Sequence, residues 1–459
     1  MHRSNTARCQ MLLIAVLSMA IFHQTAQAQD SDPGSRDATK AEFLKWTKRE
    51  AIHVERWKMN PQLEAFLDTA LEGKRILFIG EPGHFFSEKY DVQLMLIRHL
   101  APKGYRHIFI EGLGASMAPA VDHFVKTGKR PGKADGDQSK ETAKYQERAF
   151  KGWVGAKDPE FKRRQSASQQ RFYHDLREIC ESLADDQGPL RVHPIDIDMM
   201  PGGCYLSIAD LLGKYPEEAL LDPIRKSVKK DADETANQEI KRLEKLHALV
   251  SDLGKNNPTA MTRTDVAQLR TYADCLLETT VFFETARADG RLNRALVRRE
   301  PAMFRQVKHA MDGIAPDAKV IMLAHNNHLC RDGADISRAR DPSVGEMIDK
   351  AYPGQVFSIW MLHDHGKLLN PMSKQLIDTL ESDPRRIEAT LIKAGSTYLL
   401  PLHSKDPGRR YLDRKRRYSY FSWNENGTLT KQTDALFFID EISPLRGDDP
   451  LGVKQQKPA

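Results

Sequence analysis

Seven short apolar runs of strand length punctuate the chain: Arg75–Ile79, His107–Glu111, Leu190–Ile197, Ala318–Leu323, Val356–Met361, Thr397–Leu402 and Ala435–Ile439. Between them the apolar period changes to that of a helix. In Ser87–Leu100, for example, Tyr90, Leu94, Ile97 and Leu100 fall on one face. Lys40–Asp68, Gln169–Leu183 and Glu300–Met311 also read as helices. Strand, helix and strand in succession predict parallel pairing, because a parallel neighbour needs a long crossover. The stretch from about Ser207 to Arg291 breaks this rhythm. Ala236, Ile240, Leu243 and Val250 keep helical spacing amid many charges, Asp265–Ala288 does the same, and no strand signal intervenes. The expected fold is therefore α/β: a central, mostly parallel sheet flanked by helices, with a helical insertion or cap at about 207–291.

The N-terminus has a different character. Arg3 and Arg8 precede an apolar run from Met11 to Phe22, and Ala26-Gln27-Ala28 follows it. That run is short for a bilayer and suits a cleaved secretory signal peptide, with cleavage after Ala28 and a secreted or periplasmic product; an uncleaved anchor is the alternative. The expected plan is a signal peptide (1–28), a lead-in (29–55) whose polar start at 29–41 is flexible, one α/β domain (56–447) and a tail (448–459). No later segment is apolar enough to predict stable membrane insertion once the signal is removed. Its loss takes away Arg3 and Arg8 and no acid, so the formal charge falls from +6 to +4. This is mild for 459 residues and does not point to nucleic acid. The basic run Arg409–Arg417 reads as a solvated face, with attachment to an anionic envelope surface as a weaker alternative. Cys180, Cys204, Cys275 and Cys330 remain after cleavage. Four cysteines allow three pairings, the sequence does not choose among them, and free buried thiols are an equal alternative.

Open α/β sheets bind ligands beyond the carboxyl ends of their strands. Four predicted strands end there in ionisable groups: Glu81 and His84 in the stretch Ile79-Gly80-Glu81-Pro82-Gly83-His84, then Glu111, then Asp196 with Asp198, then His325 and His328. Singly, each reads as a cap or an ion pair; together they predict a site. An imidazole, with an ordinary pKa near ~6.5, can take a proton from water at neutral pH. A carboxylate beside it orients the ring, and a further cation or histidine stabilises an oxyanion. Gly80 and Gly83 allow a tight turn off the strand and Pro82 stiffens it.

Three other chemistries fit parts of the pattern. Glu81, His84, Glu111, His325 and His328 could ligate a borderline metal, which would give a metal-dependent hydrolase or peptidase, although no HExxH helix or cysteine cluster is present. Gly114-Ala115-Ser116-Met117-Ala118 nearly matches a nucleophile elbow, with Ala in place of the last glycine. The histidines could also ligate haem in a non-catalytic envelope protein that binds a small ligand. Neither a Walker loop nor a dinucleotide glycine fingerprint follows a strand.

Several segments together resemble the erythromycin esterase-like family, and more distantly Tiki and TraB-type proteins. Gly80-Glu81-Pro82-Gly83-His84 with Glu88 resembles G-E-x-x-H-x-x-x-E, and Lys319–His328 (KVIMLAHNNH) resembles K-V-x-x-W-A-H-N-x-H. Phe109-Ile110-Glu111-Gly112, Arg177, Asp196, Arg299-Glu300-Pro301-Ala302-Met303, Ser343-Val344-Gly345-Glu346 and Asp434–Phe437 are similar to further family segments. Leu323 replaces a tryptophan and Glu300 an aspartate. The resemblance implies an ester or lactone hydrolase, macrolides included, that activates water without metal or other cofactor. In that picture His84 is the general base, Glu81 and Glu111 orient it and the water, and His325 polarises the carbonyl. His328, Arg299, Glu88 and Asp196 bind the small-molecule substrate.

Overall fold

In a computed structural model of the chain, residues 33–447 are described except for 131–138, 152–157, 185–187, 199–201, 232, 254–259, 290–291, 338–341, 371–372, 374 and 404–406. The expected signal peptide and C-terminal tail lie outside these residues. The strands are β1 (Ile52–His53), β2 (Ile76–Glu81), β3 (Tyr105–Gly114), β4 (Arg191–Asp196), β5 (Lys319–His325), β6 (Val356–Leu369), β7 (Ile377–Leu380), β8 (Thr397–Pro401), β9 (Arg416–Tyr420), β10 (Trp423–Gly427) and β11 (Ala435–Ile442).

Nine of them form one sheet in the order β1-β8-β11-β6-β2-β5-β3-β4, with β7 paired to the end of β6. From β11 to β4 every neighbour is parallel, whereas β8, β1 and β7 add antiparallel pairs. All of β2 is buried, as expected for a strand covered on both faces. The fold is thus the expected α/β class. Register sets up the site directly: Glu81 pairs with His325 and Gly80 with Ala324, so the motif ends of β2 and β5 lie side by side.

Gly80 is required there. A Cβ at this position would come within 2.2 Å of Asn326 Oδ1 and 3.1 Å of Trp360 Cδ1. The helix Glu88–Leu100 follows and buries Val92, Leu96 and Ile97 under the sheet. Beyond β4 the described residues of the insertion form helices joined by turns, with no strand among them: Gly202–Gly213, Asp222–Val228, Ala236–Asp252 and Arg263–Asp289. Its third helix opens with a capping box formed by Thr235 and Gln238, and the helices share an apolar core built on Leu211, Leu243, Leu246 and Leu276.

Two expectations change. The helix read across Lys40–Asp68 is two helices, Pro33–Glu50 and Pro61–Ala70, separated by β1. Pro61 cannot continue a helix but can begin one, and the Asn60 side chain accepts from Leu63 N at 3.0 Å. Phe43 and Trp46, fully buried, make the first of these helices part of the core, and it begins earlier than the polar lead-in suggests. The basic run is also more than a solvated face. Arg416 and Arg417 begin β9, which forms an antiparallel hairpin with β10, and Tyr418 and Ser419 are buried.

Candidate active site

Glu81, His84, Glu111, Asp196, Arg299, His325 and His328 converge at the carboxyl edge of β2, β3, β4 and β5. Glu81, at the end of β2, is buried and accepts from three side chains. His84 Nδ1 lies 2.6 Å from its Oε1, Lys89 Nζ donates to the same oxygen at 2.9 Å, and Gln93 Nε2 donates to Oε2 at 3.2 Å. Burial pushes the Glu81 carboxyl up, but Lys89 and His84 outweigh it, so its pKa is lowered and the group is a carboxylate. The same pairing overcomes burial at Lys89 and holds it protonated. With Glu81 ionised, His84 Nδ1 must carry the proton it donates, so in the neutral ring the lone pair lies on Nε2. That nitrogen points toward Glu111, 3.9 Å away. One-third of the His84 side chain is exposed, against 6% for Glu81 and Glu111, so the imidazole is the accessible member of the group.

Glu111 is held from the opposite side. Its Oε2 accepts from His325 N at 2.7 Å, and its Oε1 faces Arg299 Nη2 and His328 Nε2, each at 3.1 Å. Burial opposes ionisation here too, yet His328, with Arg299 beside it, overcomes it and holds the carboxyl well below its usual range. A carboxylate with so many donors is a poor base and a firm anchor. Arg299 also pairs with Asp196 through Nε at 2.9 Å and through Nη2, so β4 braces the guanidinium. Arg299 and Glu300 sit on the helix Leu292–Gly313.

The two histidines after β5 differ in role. His328 lies between two acids, with Nε2 on Glu111 and Nδ1 on Glu300 Oε1 at 2.5 Å. Burial works against its charge, but the two carboxylates prevail and raise its pKa to about 10, so it is an imidazolium at neutral pH. Arg299 Nη1 is 3.4 Å from His328 Nε2, donor against donor, and meets no acceptor among the described residues. His325 is neutral: burial lowers its pKa to about 3. Its Nε2 donates to Pro82 O at 3.1 Å and its Nδ1 accepts from Asn327 N at 3.2 Å, so neither ring nitrogen is left to polarise a carbonyl. The ring instead stacks on Phe421, with centroids 5.0 Å apart and planes 11° from parallel.

Glu88, expected beside the substrate, is turned elsewhere, where its carboxylate accepts from the N–H and hydroxyl of Ser443. Ser116 is fully buried and donates its hydroxyl to Asp198, which does not make it an accessible nucleophile. The carboxylates that could ligate a metal are already matched to Lys89, Arg299 and His328. Among the described residues the ligand atoms that come close enough together belong to His174, Asp175 and Glu178 on an outer helix, away from these strand ends. Haem ligation by His325 or His328 would require breaking the contacts that occupy both nitrogens of each ring.

Lys89, Gln93, Glu300 and the hairpin aromatics were not among the residues expected to build the site. Lys89 stands in the first turn of a helix, where a lysine ordinarily reads as solvated. The tip of the β9–β10 hairpin reaches over the motif: Phe421 N donates to Pro82 O at 2.8 Å, and the Phe421 ring lies 5.2 Å from that of His84. Phe421 takes a left-handed backbone conformation (φ 48°) to do so. With Tyr420, Trp423 and Phe85, each half-buried, it forms an aromatic rim around His84.

Comparison with known proteins bears on this geometry. Three solved structures share the fold. A Bacillus cereus protein has a TM-score of 0.69 at 16% identity, over 89% of this chain and 99% of its own. A succinoglycan biosynthesis protein has a TM-score of 0.66 at 14% identity, over 90% and 99%. A mutant of the erythromycin esterase EreC in its open conformation has a TM-score of 0.56 at 16% identity, over 84% and 95%. No curated protein matches. The family model described as erythromycin esterase matches residues 100–442, a span that begins after the Glu81–His84 turn and contains Glu111, Asp196, Arg299, His325 and His328. Covering well over half of the sequence and the greater part of the converging strand ends, this match shows that the chain belongs to the erythromycin esterase family.

Proposed function

We propose that this protein is an exported hydrolase that cleaves an ester or lactone with water activated by His84. The observation that carries the reading is the Glu81–His84 pair: a buried carboxylate fixes Nδ1 at 2.6 Å and leaves Nε2 facing Glu111 on a ring that is one-third exposed. Membership of the erythromycin esterase family supports an esterase-type reaction on a small molecule. The aromatic rim suits a large, largely apolar substrate, and a macrolide lactone is the first candidate.

In this mechanism water sits against His84 Nε2 and Glu111, whose 3.9 Å separation lets one oxygen reach both at ordinary hydrogen-bond lengths. Nε2 removes a proton as the water oxygen attacks the carbonyl carbon, and Glu81 stabilises the imidazolium. In this reading Arg299 Nη1 donates to the developing oxyanion. The imidazolium then returns the proton to the leaving alcohol, which closes the cycle without a covalent enzyme intermediate. His325, engaged at both nitrogens, keeps Pro82 and the hairpin tip in place. Secretion directed by the N-terminal segment belongs to the same proposal.

The test is a panel of esters, simple lactones and macrolides assayed with the wild-type protein and His84→Ala. The expected result is hydrolysis of at least one member and a loss of about 10²–10⁴ in kcat for the variant. Full activity in a folded His84→Ala protein overturns the reading.

A further inference from the structure

The four cysteines retained after residue 28 are spread over three separate apolar clusters. Cys180, half-buried, packs at the edge of the core beneath the helix Glu88–Leu100 and accepts from Leu190 N at 3.3 Å. Cys330 belongs to the cluster around Trp360 and Tyr398, where its thiol donates to Asn327 O at 3.0 Å. Cys204 and Cys275 lie together in the core of the helical insertion, both with zero exposure. Both sulfurs close on one residue, Asp198, just beyond the end of β4. Asp198 N donates to Cys275 Sγ at 2.9 Å, and Cys204 Sγ faces Asp198 Oδ2 at 3.8 Å. All four are free thiols in the structure, and Cys204 with Cys275 is the pair that shares both a cluster and a partner residue.

We propose that Cys204 and Cys275 form a disulfide when the chain folds in an oxidising compartment, while Cys180 and Cys330 stay as thiols. The reaction is thiol–disulfide exchange with a small-molecule or protein disulfide. One cysteine thiolate attacks the donor disulfide and expels a thiol, the second attacks the mixed disulfide and expels the other, and the two protons leave with the reduced donor. The bond costs little in local contacts. Cys275 Sγ still accepts from Asp198 N, and Asp198 keeps the N–H and hydroxyl of Ser116 after Cys204 loses its proton. Because both sulfurs are shielded from solvent in the fold, the link forms during folding rather than afterwards. It would join the helix Gly202–Gly213 to the helix Arg263–Asp289 and close a loop of about 70 residues, tying the insertion to the strand end that supplies Asp196. This inference does not depend on the hydrolase reading, since none of its groups takes part in the proposed reaction.

The test is refolding of the reduced, denatured chain from residue 29 onward, which lacks Cys9, in a mixture of reduced and oxidised glutathione, followed by intact mass, alkylation under denaturing conditions and peptide mapping. The expected product is two hydrogens lighter than the reduced chain, takes alkyl groups at Cys180 and Cys330, and yields one linked peptide pair holding Cys204 and Cys275. Its Tm should exceed that of the same protein with the bond reduced by roughly 5 °C. A Cys180→Ser/Cys330→Ser variant should keep the mass loss and the Tm gain, and Cys204→Ala should lose both. Four alkylated cysteines in the refolded protein, or a link that includes Cys180 or Cys330, would overturn the proposal, whether or not the protein hydrolyses an ester.

Discussion

The double clamp on His328 makes a prediction that needs no substrate. Its imidazolium is bound by Glu111 at 3.1 Å and Glu300 at 2.5 Å, and its pKa stands at about 10 against an ordinary value near ~6.5. The folded state therefore holds a proton that the unfolded chain releases earlier. Stability from this group is complete below about pH 6.5 and is lost as pH rises through about 10. With a shift of this size and a side chain only 14% exposed, the loss over that window is on the order of 3–5 kcal/mol. Glu300→Gln isolates the effect. Glu300 Oε2 accepts from Val344 N at 2.9 Å, so the Gln carbonyl takes that place and its NH2 faces His328 Nδ1. That nitrogen can then only accept, and neutral His328 is favoured. The assay is urea denaturation of both proteins at intervals from pH 6 to 10, read as the difference between them so that other titrating groups cancel. The wild type should begin more stable and lose most of its advantage by the top of the range. A difference that stays flat with pH would refute the clamp.

Other outcomes follow from the same contacts. His325, at about 3, has the opposite sign: it is buried neutral, so its contribution is complete above about pH 6.5 and is lost as pH falls toward 3. Acid unfolding of His325→Gln, which cannot take up that proton, should show a weaker dependence on pH than the wild type between these limits. Gly80→Ala should destabilise by about 1–3 kcal/mol in chemical denaturation, because the added methyl meets Asn326 Oδ1 and Trp360. Dialysis against a strong chelator should leave the rate on a confirmed ester unchanged; a loss that is restored by added zinc would favour a metal-dependent reaction on the same residues.

Much of the frame was legible in the sequence, since the strands that build the parallel sheet are continuous apolar runs and their register brings the predicted strand ends together. The β9–β10 hairpin was not. Its arginines dominate a linear reading, and the burial of Tyr418 and Glu425 arises from tertiary contact rather than from an apolar pattern. Lys89 was missed for a similar reason: only the position of Glu81 at the end of β2 reveals why a lysine is buried there. Spacing alone also could not place Glu88, one helical turn from His84 in sequence but bonded to Ser443. Nor could it separate His325 from His328. They lie three residues apart, yet one is neutral and saturated by backbone contacts while the other is a cation between two acids.

The central claim is that Glu81 and His84 act as one unit, and a double-mutant cycle on kcat tests it most directly. Rates for the wild type, Glu81→Gln, His84→Ala and the double variant would be compared on a confirmed ester or lactone at constant pH. If Glu81 acts through His84, the double variant should be no slower than His84→Ala, and the effect of Glu81→Gln should vanish once the imidazole is gone. Additive losses, with Glu81→Gln costing as much in the absence of His84 as in its presence, would contradict the account.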